Sequence, residues 1–173
     1  SYTAARSYFI SQSGQTVIPE LIHLPTSELT PGRVVEAQMA GPGTFLSPTV
    51  RSAIPEGAKL GSAGATVDSS GVVTVALEGL RAGLSDEARR ELGAQLLWSL
   101  SSIPRVSGLR LTSDGKAYPL PGQNEKQILE LSSQQGYQPL SRAGSADLYG
   151  VYEGRAGKLS SDTSFVPLSG SEP

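Results

Sequence analysis

The sequence predicts an α+β fold in which a mostly antiparallel sheet of hairpins carries one long and two short helices. Three observations support this prediction. Strand-like runs flank turn residues at three places along the chain, which is the pattern of hairpins. One apolar stripe with spacings of three and four residues indicates a long amphipathic helix. The 173 residues, 38% of them hydrophobic, suffice for one ordinary domain with a sizeable core.

The first hairpin is predicted near the start of the chain. Residues 6–10 and 15–24 are rich in β-branched and aromatic side chains, and the turn residues 11–14 separate them. Pro19 interrupts the second run and predicts that this strand lies at a sheet edge or carries a bulge, because proline cannot donate a ladder hydrogen bond.

Two short helices are predicted next, over residues 31–40 and from residue 48 to about residue 54. Each begins with a capping residue followed by proline at the first helical position, and each ends at a helix-breaking residue. The start and stop signals are Thr30-Pro31, Gly41-Pro42, Ser47-Pro48 and Pro55.

The middle of the chain predicts a second hairpin, with strands at 59–68 and 72–78 around the turn 69–71. Residues 72–78 alternate apolar side chains between two faces, which is typical of a half-buried strand.

The long helix is predicted over residues 86–102. Ser85 is its N-cap, acidic residues follow in the first turn, and Pro104 ends the pattern. The apolar stripe consists of Ala88, Leu92, Leu96, Leu100 and Ile103. After this helix, residues 106–112 and 117–120 predict a third hairpin around the turn 113–116.

The pattern divides the chain into three parts. Residues 1–122 hold the predicted α+β domain, and the polar stretch 123–145 is predicted to be a linker. Residues 146–173 contain isolated strand-like pieces at 146–152 and 165–168, which predict the start of a truncated C-terminal domain.

Composition excludes several classes of partner and site. The formal net charge is −2 and the basic residues form no cluster, so nucleic acid and anionic lipid surfaces are not predicted partners. The chain has no Cys, which excludes disulfides and thiolate metal sites. No apolar run approaches the roughly 20 residues of a membrane span. The N-terminal residues contain no signal-peptide core, so we expect any membrane anchor to precede Ser1.

No catalytic, cofactor-binding or metal-binding residues are predicted. The only imidazole, His23, lies in a strand without a recognisable catalytic partner, whereas acyl transfer needs a nucleophile, a base and an orienting group. The densest acidic stretch, Asp86, Glu87 and Glu91, is interleaved with arginines and is interpreted as a solvated helix face. The Asp68-Ser-Ser-Gly sequence is interpreted as a hairpin turn because a calcium loop needs more closely spaced acids.

Trp98 is the one candidate for contact with a partner. At about 100° per residue it falls away from the apolar stripe of the long helix, beside Glu91 and Ala94. Either another element covers the indole or it is exposed, and exposed tryptophans are typical anchors at recognition surfaces. The sequence leaves both possibilities open.

Four stretches in the same order resemble the GerMN domain of actinobacterial LpqB-type lipoproteins, and together they cover roughly residues 6–120. These stretches are residues 40–42, 50–60, 72–77 and 94–110. Residues 136–139 and 146–152 resemble the segment that leads into the C-terminal β-propeller of those lipoproteins.

The resemblance implies a lipid-anchored protein on the outer face of the cytoplasmic membrane. It also implies a non-catalytic binding or regulatory role, with the extracytoplasmic domain of an MtrB-type sensor kinase of the MtrAB two-component system as partner, and a link to cell-wall homeostasis. A cell-wall component is a second possible partner. Two alternatives remain open: a hydrolase acting on envelope glycan or peptide, and a structural spacer.

Overall fold

The structure is a computed structural model that describes residues 1–137. Residues 1–17 and 21–137 belong to one compact unit. The predicted C-terminal domain at 146–173 lies outside the described residues. The elements are β1 (Tyr2–Ser11), β2 (Val17–Pro25), α1 (Pro31–Ala40), β3 (Val50–Arg51), β4 (Lys59–Val67), β5 (Val72–Glu78), α2 (Asp86–Leu100), β6 (Gly108–Ser113), β7 (Lys116–Ala117) and β8 (Leu129–Glu130).

The strands form two sheets. The first has the order β2-β1-β3, so β2, which carries Pro19, is the outermost strand on its side among residues 1–137. The second has the order β4-β5-β6, with β7 and β8 both paired to β6. All three predicted hairpins are present, and the α+β fold class is confirmed. One pairing is parallel: β5 lies beside β6, and α2 forms the crossover between them, which a purely local hairpin pattern does not predict.

Helix α1 has the predicted bounds because the residues predicted to cap its two ends do so. The Thr30 hydroxyl accepts a hydrogen bond from the Arg33 amide at 3.3 Å. Gly41 ends the helix at a φ of 82°, a left-handed conformation that glycine adopts without strain.

The prediction of a second short helix, from residue 48 to about residue 54, is wrong. Residues 44–49 form turns, and residues 50 and 51 form β3. Val50 and Arg51 pair with the last residues of β1, Ser11 and Ile10. Pairing with a distant strand therefore overrides the local start signal at Pro48.

The main core lies between α2, α1 and the second sheet. Leu92, Leu96 and Leu100, the middle of the predicted stripe, are each 0% exposed, and the same core receives inward side chains from β5 and β6. A second, smaller cluster lies between α2 and β1. It contains Tyr8, Ile10, Val17 and Ala94, with Ala53, Trp98 and Tyr137 packed against it.

Within residues 123–137, the first part of the predicted linker, Leu129 and Leu131 pack with the main core and Tyr137 packs against the second cluster. Strand β8 pairs antiparallel with the beginning of β6, and its Leu129 is 1% exposed. Gly93 of α2 leaves room for the Leu129 side chain, since a Cβ at that position would approach Leu129 Cδ2 to 2.7 Å. The remaining predicted linker, residues 138–145, lies outside the described residues.

Candidate recognition surface

Four polar side chains of α2 and the turn that follows it form a seam against the first sheet and α1. They lie three or four positions apart along the chain and therefore share one helix face. Of these, Ser99 accepts a hydrogen bond from the Tyr8 amide at 2.8 Å. Ser102 accepts from the Arg6 amide and donates to the Arg6 carbonyl, both at 3.0 Å. The members of this polar seam are Glu91, Gln95, Ser99 and Ser102.

Gln95 and Gln38 connect the seam to α1. The Gln95 amide oxygen accepts from the Ala53 amide at 2.6 Å, and its nitrogen donates to Gln38 Oε1 at 2.8 Å. Gln38 in turn donates to Ser7 Oγ at 2.7 Å and to the Tyr8 carbonyl at 3.0 Å. Both glutamines are buried, at 0% and 1% exposure, and both of their polar atoms are bonded, as burial requires.

Glu91 and Arg51 form the charged member of the seam. Two parallel bonds of 2.7 and 2.8 Å join the guanidinium to the carboxylate, whose side chain is 7% exposed against 40% for Arg51. These bonds raise the pKa of the Arg51 guanidinium above its usual value. The interpretation of Glu91 as part of a solvated face is therefore wrong, because β3 covers it, whereas Asp86 and Glu87 are exposed as expected.

Replacing Arg51 with alanine should destabilise the domain by about 2–4 kcal/mol, because it leaves the buried Glu91 carboxylate unpaired. Chemical denaturation of the variant measures this loss. Arg33→Ala is the matched control, since Arg33 pairs with Glu28 and Glu36 at the surface, and it should cost less than about 1 kcal/mol. Equal losses in both variants would contradict a structural role for the Arg51–Glu91 pair.

Helix α2 runs beside β1 in the opposite direction. Ser102, just after the helix, bonds to Arg6 in the first half of β1. Near the other end of the helix, Glu91 binds Arg51 of β3, which pairs with the end of β1. Tyr137 lies at this second end, where burial raises the pKa of its hydroxyl and the Glu91 carboxylate raises it further. The start of β1 and residue 137 therefore lie at opposite ends of α2.

Trp98 lies off the apolar stripe, as predicted, and another element covers it. The indole is half-buried in the second cluster, and its centroid is 5.9 Å from that of the Tyr8 ring, with the planes tilted by 50°. The indole N–H is buried and has no acceptor among residues 1–137. This packing gives Trp98 a structural role, and its contact with a partner stays a prediction.

The other residues considered for chemistry do not converge. His23 is exposed on β2, and no side chain in the described part of the chain hydrogen-bonds to its ring. Asp68 Oδ1 accepts from the amides of Ser70 and Val72 at 2.8 and 3.1 Å, which is the predicted hairpin turn. Residues 1–137 hold no group of three or more potential metal ligands.

The most exposed large apolar side chain in the described residues is Phe45, at 95%. It lies in a turn over residues 43–49, which we name the Phe45 turn. The amides of Leu46 and Ser47 both bond to the Gly43 carbonyl, at 3.1 and 2.9 Å, and Thr49 bonds to the Leu46 carbonyl at 2.9 Å. The turn is therefore ordered by its own hydrogen bonds while the ring projects into solvent.

The residues next to Phe45 along the chain are uncharged. Residues 37–50 contain no acidic or basic side chain, and neither does the neighbouring hairpin turn, residues 11–16. The two turns lie together because Val50 pairs with Ser11 and accepts a 3.2 Å bond from Gln12 Nε2. Aromatic side chains, phenylalanine included, are enriched at protein interfaces, so Phe45 is a candidate contact residue.

The sequence matches the Germane family, described as sporulation and spore germination, over residues 6–119. Among the curated relatives, the Lipoprotein LpqB of Cutibacterium acnes is 30% identical over 92% of this chain and 27% of its own length. The Lipoprotein LpqB of Thermobifida fusca is 32% identical over 93% of this chain and 26% of its own. The chain thus spans about a quarter of the length of these relatives.

Among solved structures, the first GerMN domain of the sporulation protein GerM from Bacillus subtilis has a TM-score of 0.53. It is 16% identical, and the match covers 76% of this chain and 95% of that one. The tandem GerMN domains of the same protein give a TM-score of 0.51 at 14% identity, over 68% of this chain and 41% of theirs. At these identities the likeness shows the fold alone. Because the family match extends over most of the described residues and more than half of the sequence, the chain belongs to the Germane, or GerMN, family.

Proposed function

We propose that the chain is an extracytoplasmic, non-catalytic recognition module of a membrane lipoprotein. The names of the curated relatives, both Lipoprotein LpqB, support the lipoprotein part of the proposal. Neither those names nor that of the family denotes an enzyme. None of the helices in residues 1–137 is long and apolar enough to cross a bilayer. A lipid anchor on the outer face of the cytoplasmic membrane is the attachment that we propose.

The proposed partner is the extracytoplasmic domain of an MtrB-type sensor kinase, which the module would modulate in a pathway that controls cell-wall homeostasis. The resemblance to LpqB-type lipoproteins supports this choice of partner. The observation that carries the recognition role is Phe45, whose ring is 95% exposed on a turn ordered by its own hydrogen bonds. Phenylalanine is among the residues enriched at protein interfaces, and a few buried anchors carry most of the binding energy there.

Calorimetry of the 173-residue chain against the kinase sensor domain tests the proposal. We expect an affinity in the micromolar range, and Phe45→Ala should weaken it by about 30-fold or more, the effect of a hot-spot residue. The melting temperature should not change, because the ring contacts solvent rather than the core. Thr44→Ala, an exposed neighbour in the same turn, is the matched control and should bind like the wild type.

Trp98→Ala separates recognition from folding. Removal of this half-buried ring should lower the melting temperature, since Tyr8 and the second cluster pack around it. A variant that binds weakly but melts normally would instead place Trp98 in the interface. Absence of binding by the wild-type chain would refute the proposed partner, and unchanged binding by Phe45→Ala would refute the Phe45 turn as the contact.

A further inference from the structure

Strand β1 has a second backbone edge, on the side away from β2. The Ser1 carbonyl accepts a hydrogen bond from Thr26, and the Ser11 amide donates to Thr16, so odd-numbered residues of β1 bond to β2. Backbone groups alternate in direction along a strand. The N–H and C=O groups of residues 2, 4, 6, 8 and 10 therefore point to the second edge.

Most of the backbone groups along this edge are hydrogen-bonded, and each residue has a different partner. Ile10 pairs with β3. The Tyr8 amide and carbonyl bond to Ser99 and Gln38, and both backbone groups of Arg6 bond to Ser102. The polar seam thus takes the place of a neighbouring strand as far as Arg6. The seam does not extend to Ala4 and Tyr2, because α2 ends at Leu100 and the last seam residue, Ser102, lies only two residues after that end.

Tyr2 and Ala4 complete the edge, and no described residue hydrogen-bonds to their backbone groups on this side. Both residues are exposed, Tyr2 at 72%. Arg6, on the same face of the strand, is also exposed and has no ion-pair partner among residues 1–137. The strand face beside this edge therefore carries an aromatic ring, a methyl group and a cation in a row.

We propose that this open edge, residues 2–4, accepts an extended acidic peptide segment of a partner protein as an additional strand. The backbone groups of Tyr2 and Ala4 supply the pairing, and Ala4 places no bulk in its way. The Arg6 guanidinium selects a carboxylate on the residue that pairs with Ala4, because this residue is its diagonal neighbour on the same face and lies within reach of a long side chain. The inference deepens the proposed recognition function and rests on it.

The outer edge of the second sheet does not offer the same site. Strand β4 has a register shift between Leu60 and Ala65, so its pairing groups are not in a continuous row. A bulge of this kind blocks edge-to-edge pairing. Its first residue, Lys59, already faces Glu78 at 3.9 Å.

NMR titration of the isotope-labelled 173-residue chain tests the inference. The probe is a capped hexapeptide of alternating valine and glutamate, and the matched probe has lysine in place of glutamate. We expect the acidic peptide to shift the amide signals of Tyr2 and Ala4 most, and to slow their hydrogen exchange by about 10-fold at saturation, as a new ladder bond would. The basic peptide should leave both signals unchanged.

Two variants make the result specific. Ala4→Pro removes an N–H that points away from β2, a position where an edge strand tolerates proline, and it should weaken binding by about 10-fold. Arg6→Glu keeps the strand and should reverse the preference, so that the basic peptide binds instead. Equal binding of both peptides, or wild-type binding by both variants, would overturn the open edge as a site. So would unchanged Tyr2 and Ala4 amides at millimolar peptide.

The kinase titration separates this inference from the proposed function. If the sensor domain binds the wild-type chain and Ala4→Pro equally well, recognition stands and the open edge is not the contact. If the acidic peptide binds at the open edge and the sensor domain does not bind, the edge stands and the proposed partner is wrong.

Discussion

Replacing Leu96 with alanine should destabilise the domain by about 2–5 kcal/mol, the range measured for buried leucines. Leu96 is 0% exposed and lies in the main core between α2 and the second sheet. The loss combines the hydrophobic transfer energy of the removed atoms with the cavity that they leave. Urea denaturation of the variant measures it, and Leu92→Ala should behave alike.

Leu21→Ala is the matched control, because Leu21 on β2 is 54% exposed. It should change the free energy of unfolding by less than about 0.5 kcal/mol, like other surface substitutions. Unchanged denaturation of both Leu92→Ala and Leu96→Ala would contradict the packing of α2 on the sheet.

Gly71→Ala should cost about 2–5 kcal/mol, from backbone strain and from overlap. Gly71 has a φ of 86°, and a Cβ there would overlap the carbonyl oxygen of Arg105, a backbone atom that cannot rotate away. The residue lies in the turn between β4 and β5, where the Ser107 amide bonds to its carbonyl at 2.8 Å. Thermal or urea denaturation measures the effect.

Gly115→Ala separates strain from overlap. Gly115 has a φ of 82° in the turn between β6 and β7, but a Cβ there has no atom within 4 Å. Only the left-handed conformation should matter, at about 1–2 kcal/mol. If Gly71→Ala lowers the free energy of unfolding no more than Gly115→Ala does, this result would contradict the close approach of residues 105–107 to the turn between β4 and β5.

The elements that the sequence predicts best are those whose signals are local. Helix α1 occupies the predicted residues because Thr30, Pro31 and Gly41 act within one turn of its ends. Helix α2 begins at its predicted cap, where the Ser85 hydroxyl accepts a bond from Ala88 at 3.1 Å. Its apolar stripe identifies the core because burial of one face needs only a helical period.

The polar seam is less visible in the sequence because its residues have the same spacing as a solvated helix face. Nothing in the sequence indicates whether the side chains of Glu91 and Gln95 bond to β3 and α1 or to water. The parallel pairing of β5 and β6 is equally non-local, because it depends on how α2 returns the chain to the sheet. Strand β8 has two residues, too few for an alternating pattern.

The sequence does not single out Phe45, for a related reason. An apolar side chain beside Gly43 and Pro48 is compatible with either a buried or an exposed turn. Its exposure depends on the tertiary position of the turn, which precedes β3 and lies beside the end of β1. Trp98, by contrast, could be placed off the core stripe from its helical angle alone, and its covering by Tyr8 required the structure.

The opposed directions of β1 and α2 have a mechanical consequence. From Tyr2 to Ile10 the strand rises by about 3.3 Å per residue, or about 26 Å in all. Tyr2 lies at one end of this length, and Tyr137 lies at the other end. A pulling force applied between residue 1 and Tyr137 would run along β1 and load its bonds to β2 and to the serines of α2 in shear.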